Sequence, residues 1–178
     1  MKKILFFFAF ATLTSCKTTQ TSMLIGESFD KSKNQTTLTL LPYGNIVIPN
    51  KWTKSTYNKV SKQHFFVNED KTTLAVAKNP TNKYPFYKTN QTDKKFVTEF
   101  VKWDAEHWKQ QGVIVKTLTD KSENGYITWQ AKTENQDKVN TIFIFGSKNG
   151  FAYNFSGTSR TWTDEKIIEF ITLLYNNN

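Results

Sequence analysis

Asp104 and His107 stand three residues apart in a segment of helical periodicity, which makes them neighbours on one helix face. A carboxyl and an imidazole so placed can act as general acid and base, contribute half of a metal site, or form a structural hydrogen-bonded pair. The chain has only 2 histidines, and His64 is remote in sequence, so a metal site would need carboxylates from elsewhere. Both residues fall inside the apolar arc of the helical wheel, where a polar group needs a partner. The pair is therefore read as structural. No G-x-S-x-G elbow occurs, and the run Gly157-Thr158-Ser159-Arg160 does not match one. Neither a phosphate-cradling glycine loop nor H-E-x-x-H is present. A glycosidase-like pair of carboxylates has no sequence spacing to reveal it, because its members come from separate strands. No catalytic residue, metal or dissociable cofactor is expected, and the chain is read as a non-enzyme.

Cys16 is the sole cysteine, which excludes a disulfide framework. It follows Lys2, Lys3 and an apolar run over residues 4–11, too short to span a bilayer and patterned like a signal peptide. Leu13-Thr14-Ser15-Cys16 resembles the lipobox of bacterial lipoproteins. The resemblance implies removal of residues 1–15 and a covalent lipid on Cys16. The alternative is an ordinary secretory signal with an incidental cysteine. Two or three acyl chains hold a protein stably on a membrane. The expected place is the bacterial envelope, at the periplasmic face of the outer membrane, since Lys17-Thr18-Thr19-Gln20-Thr21 carries no acid. Nucleic acid is not an expected partner there.

Charge supplies the next candidate. The 178-residue chain has a formal charge of +9, unevenly spread. Residues 31–92 hold ten lysines against Glu69 and Asp70, whereas residues 93–178 balance to zero. A half this basic suits an acidic protein or an anionic envelope component; the alternative is lysine serving solubility. Within that half, residues 79–92 read as a long loop interrupted by Pro80 and Pro85. Tyr84, Phe86 and Tyr87 lie there between Lys83 and Lys88, and aromatics beside cations are typical of binding surfaces for proteins or glycans. These five are the candidate binding residues, expected to stand partly in solvent. Otherwise the aromatics fold back against the sheet.

Elements must position these groups. Residues 16–36, rich in Thr, Ser, Lys and Gln, read as the lipidated cysteine and a tether, and residues 37–178 as one domain. Strands are expected at 37–41, 45–48, 64–67, 73–78, 113–119, 126–132, 139–145 and 151–155. Asn124-Gly125 and Asn149-Gly150 favour tight turns, so the runs flanking each should pair antiparallel. Ile142, Phe143, Ile144 and Phe145 make a strand apolar on both faces, which must be covered on both. A helix over 94–111 gathers Phe96, Val97, Phe100, Val101, Trp103 and Trp108 within an arc of roughly 160°, with Asp93 as N-cap and Gly112 beyond its end. A second helix over 164–175 starts after Thr163. The expected fold is α+β: a mainly antiparallel sheet with helices on both faces, in three α/β/α layers, rather than a sheet with both helices on one face.

The order of these pieces resembles that of PsbP-like domains. Ile48-Pro49-Asn50-Lys51-Trp52 looks like the opening motif of that family, and Trp129, Asn149-Gly150-Phe151 and Ala152-Tyr153-Asn154-Phe155 follow in its order. The resemblance spans residues 37–175 and implies the fold and accessory binding. The expectation is a membrane-anchored, non-catalytic binding lipoprotein of the bacterial envelope. The alternatives are an envelope hydrolase or small-ligand binder with an unlocated cleft, and a self-protection lipoprotein that blocks a toxin.

Overall fold

The computed structural model describes residues 23–134 and 139–178, so Cys16 and the leader lie outside the described residues. Its strands are β1 (Leu24–Asp30), β2 (Gln35–Leu41), β3 (Asn45–Pro49), β4 (Thr53–Asn58), β5 (Gln63–Val67), β6 (Thr73–Pro80), β7 (Ile114–Lys121), β8 (Tyr126–Lys132), β9 (Asn140–Lys148) and β10 (Phe151–Thr158). The helices are α1 (Asp93–Gln110) and α2 (Asp164–Asn176). Strands β1-β2-β3 form a small antiparallel sheet, and β4-β5-β6-β10-β9-β8-β7 a large one, also antiparallel throughout. Among the described residues no helix is long and apolar enough to cross a membrane.

The fold is α+β with helices on both faces of the large sheet. Strand β9 shows why: Ile142 and Ile144 join the core under α2, whereas Phe143 and Phe145 join the core under α1. On the α2 side, Ile167, Ile171 and Leu174 meet Leu38, Leu40, Ile46 and Ile48 of the small sheet. On the other side, Phe96, Val97 and Phe100 pack over Trp129, Phe143 and Phe145. The Trp129 ring stacks on Phe143 at 4.2 Å and 10°, an arrangement worth about 0.5–1.5 kcal/mol beyond area burial. Trp52 ties the small sheet to α2. Its amide donates to Thr36 Oγ1 at 2.9 Å, its indole to the Pro49 carbonyl at 2.9 Å, and its ring packs on Phe170.

Turn and cap chemistry bears out most expected boundaries. Asn149 and Gly150 adopt φ of 54° and 76° in a two-residue hairpin that pairs Lys148 with Phe151. Gly112, at φ 75°, closes α1: its amide bonds the Lys109 carbonyl, and the Val113 amide bonds that of Trp108. The N-cap of α1 is Thr92, not Asp93; Thr92 Oγ1 accepts from the Lys95 amide at 3.3 Å, which frees the Asp93 carboxylate to accept from Ser147 Oγ.

Two strands depart from the expectation. Residues 24–36 are not a tether: β1 pairs with β2 along its whole length, and Asp30 Oδ1 gathers the Ser32 and Lys33 amides in the turn. Strand β4 pairs with β5 at the edge of the large sheet, around a bulge between Lys54 and Thr56. Both are edge strands with mostly exposed side chains, held by backbone hydrogen bonds, so neither leaves a burial pattern in the sequence.

Candidate functional site

Helix α1 lies over β7, β8 and β9 and leaves the same face of β10, β6, β5 and β4 uncovered. That uncovered half is the floor of a cleft of about 1370 Å³. The chain makes room by alternating residue size, because successive side chains of a strand point to opposite faces. Strand β6 turns Leu74 and Val76 into the core under the small sheet and sets Thr73 and Ala75 on the cleft face. Strand β10 likewise buries Tyr153 and Phe155 and offers Asn154, Ser156 and Thr158.

The floor is polar. Gln63 Nε2 donates to Asn154 Oδ1 at 3.1 Å; among the described residues Gln63 Oε1, Asn154 Nδ2 and the Ser156 hydroxyl have no further partner. Thr141 and Thr158 share a hydroxyl–hydroxyl bond of 2.9 Å at one side.

The wall is aromatic. Tyr84 packs on Phe100 at 4.7 Å and on Phe96 at 5.6 Å, while Phe86 packs on Phe96 at 5.2 Å and on Trp103 at 5.7 Å. Of the five loop candidates, Lys83, Tyr84 and Phe86 line the cleft, whereas Tyr87 and Lys88 are exposed outside it. All three aromatics keep part of their surface in solvent: Tyr84 and Phe86 are half-buried, folded back on the apolar ledge of Phe96 and Phe100, and Tyr87 is exposed. Burial pushes the Tyr84 hydroxyl up to about 12.

Asp104 and His107 also line the cleft. No hydrogen bond joins them. Trp108 Nε1 donates to Asp104 Oδ2 at 3.2 Å, and His107 Nε2 meets Gln111 Nε2 at 2.8 Å, each one turn along the helix. Burial pushes the Asp104 carboxyl up to about 6, against the opposing pull of the Trp108 bond and of His107. The structural pairing of Asp104 with His107 is thus replaced by two separate bonds. Their place in the helical apolar arc has another cause: that arc is wider than the strip of sheet α1 covers, and its outer part faces the cleft. Trp103, 49% exposed, lies in that outer part. Among the described residues no cluster of three His, Cys, Asp or Glu side chains could hold a metal ion.

Sequence reasoning missed the floor residues Gln63, Asn154 and Ser156 and the wall residue Trp103. The available signal was the large-to-small alternation on β6 and β10, which a search for apolar-to-polar alternation passes over. The rim carries both signs, with Lys62, Lys83 and Lys102 against Glu99, Asp104 and Glu106.

No family model matches the chain, and no curated protein does. Among solved structures, the chain is similar to cyanobacterial PsbP (CyanoP) from Synechocystis sp. PCC 6803, at 15% identity over 92% of this chain and 94% of that one, with a TM-score of 0.38. At this identity and TM-score the similarity says nothing of what this chain binds.

Proposed function

We propose that this chain is a binding lipoprotein of the bacterial envelope, anchored through Cys16, and that it holds its ligand in the cleft between α1 and the uncovered half of the large sheet. The observation that carries the binding role is the cleft itself: an aromatic wall facing a floor where Gln63 Oε1, Asn154 Nδ2 and the Ser156 hydroxyl have no partner among the described residues. Binding is favoured over catalysis because Asp104 and His107 are each bonded within their own helix and not to one another. The lipobox resemblance supports the anchor. The basic half supports a contact with anionic envelope components outside the cleft, whose rim is balanced in charge.

A second role is hydrolysis with Asp104 as general acid, favoured by its raised pKa of about 6. Two measurements test these roles. Cys16→Ala should abolish incorporation of labelled acyl chains; wild-type protein that takes up none would refute the anchor. An extract of envelope components should yield a ligand that co-purifies with wild-type protein unaltered and is lost from Trp103→Ala. A ligand cleaved by wild-type but not by Asp104→Asn would establish hydrolysis instead.

A further inference from the structure

The lining of the cleft narrows the class of ligand. Among the described residues its wall and floor contain no leucine and no isoleucine, although those residues dominate the core under α2. A fatty-acyl site is built from such aliphatic side chains. Here most of the apolar surface is aromatic: Trp103, Phe86, Tyr84 and Trp108 along one side, with Phe65 and Phe143 at the floor; Met23, Val60, Ala75 and Pro85 make up the non-aromatic rest. Flat rings of this kind cover the C–H face of a pyranose. The remaining floor is made of groups that donate and accept at once, the Gln63 and Asn154 amides and the Ser156 and Thr158 hydroxyls, which match sugar hydroxyls.

Charge and size agree. Three lysines, Lys62, Lys83 and Lys102, face three carboxyl groups, those of Glu99, Asp104 and Glu106, so the rim favours no net charge on the ligand. The volume of about 1370 Å³ exceeds the roughly 300–1,000 Å³ of a usual small-molecule pocket. A chain of several rings fits that space better than one. Trp103 occupies the place such a ligand would need for stacking: nearly half its surface is free, though it packs on one side against Phe86.

We infer that the cleft binds an uncharged, linear oligosaccharide, stacked on Trp103 and hydrogen-bonded to Gln63, Asn154 and Ser156. This rests on the cleft being the binding site. The test uses full-length protein in phospholipid nanodiscs, labelled with 5-fluorotryptophan, with the Trp103 resonance assigned by Trp103→Ala. The probes are chitohexaose, cellohexaose, maltohexaose and glycan strands released from cell walls. A fatty-acyl probe and a pool of uncharged decapeptides serve as comparators.

The expected result is that at least one hexasaccharide shifts Trp103 and gives a calorimetric isotherm, with the matching monosaccharide at least tenfold weaker. Trp103→Ala should weaken it by about tenfold or more and Ser156→Ala by about threefold or more, while the melting temperature stays within about 2 °C for Ser156→Ala, whose hydroxyl bonds no described residue. If only the acyl or peptide probe shifts Trp103, the saccharide is wrong and the cleft remains the binding site. Saccharide binding that ignores both substitutions also overturns the inference. If no probe of any class moves Trp103, both the saccharide and the cleft's binding role fall.

Discussion

The ring of Tyr175 occupies the space that a side chain on Gly146 would take: a Cβ there would stand 2.1 Å from Tyr175 Cε2. The Tyr175 hydroxyl continues past β9 to donate to the Gly125 carbonyl at 3.0 Å and the Ser147 carbonyl at 3.3 Å. Helix α2 is thus locked to the large sheet by one side chain passing over one glycine. Gly146→Ala should destabilise the protein by about 3 kcal/mol, at the upper end of overpacking costs, because backbone or ring must move. Gly26→Ala, with nothing within 4 Å of the added carbon, should be nearly neutral. Adding Tyr175→Leu to Gly146→Ala should recover part of the loss. Chemical denaturation of the four variants gives the coupling, and strict additivity would refute the lock.

The loop aromatics divide the same way. Tyr84 and Phe86 pack on Phe96 and Phe100, so Tyr84→Ala and Phe86→Ala should each cost about 2 kcal/mol, less than the 3–5 typical of fully buried aromatics. Tyr87, 38% exposed, should change stability by less than about 0.5 kcal/mol on truncation. Thermal melts decide this; three equal and negligible effects would mean that the loop stands free of α1.

The contrast between these residues shows what the sequence could disclose. Strand β2 was legible because one buried face writes a period of two into the chain, and β9 because burial on both faces writes a continuous apolar run. The glycine at the end of α1 and the Asn-Gly hairpin before β10 were legible because positive φ restricts residue choice. Strands β1 and β4 were not, since backbone pairing at an edge makes little demand on side chains. The cleft stayed hidden for a related reason. Trp103 and Asp104 have the helical phase of core residues, and only the width of sheet under α1 decides that they face an opening. Asn154 and Gln63, 91 residues apart, meet through strand order, which local spacing does not encode.

Asp104 and His64 should oppose each other in acid. His64, 3% exposed, packs tilted on the Tyr57 ring at 4.5 Å with Nδ1 unpartnered; burial, and then the charge of Lys54, push its pKa from 6.5 down to about 4, with Glu27 opposing. The unfolded chain therefore takes up this proton first. The stability tied to neutral His64 is complete above pH 6.5 and falls by about 1 kcal/mol per unit down to pH 4. Asp104 runs the other way. Its carboxyl is raised from 3.8 to about 6, so the folded chain keeps its proton longer, and stability falls as pH rises from 3.8 to 6. Partial solvent contact limits the total to about 1–2 kcal/mol. The two slopes overlap between pH 4 and 6 and partly cancel. Asp104→Asn, which keeps an oxygen for Trp108, should stabilise the protein at pH 7 by about 1 kcal/mol, with the gain vanishing near pH 4. His64→Phe, which keeps the ring contact with Tyr57, should gain on wild type progressively as pH falls from 6.5 to 4. Denaturant unfolding at half-unit pH intervals reads both differences. A gain from Asp104→Asn that does not change with pH would show that the carboxyl titrates normally and that the wall of the cleft is wet.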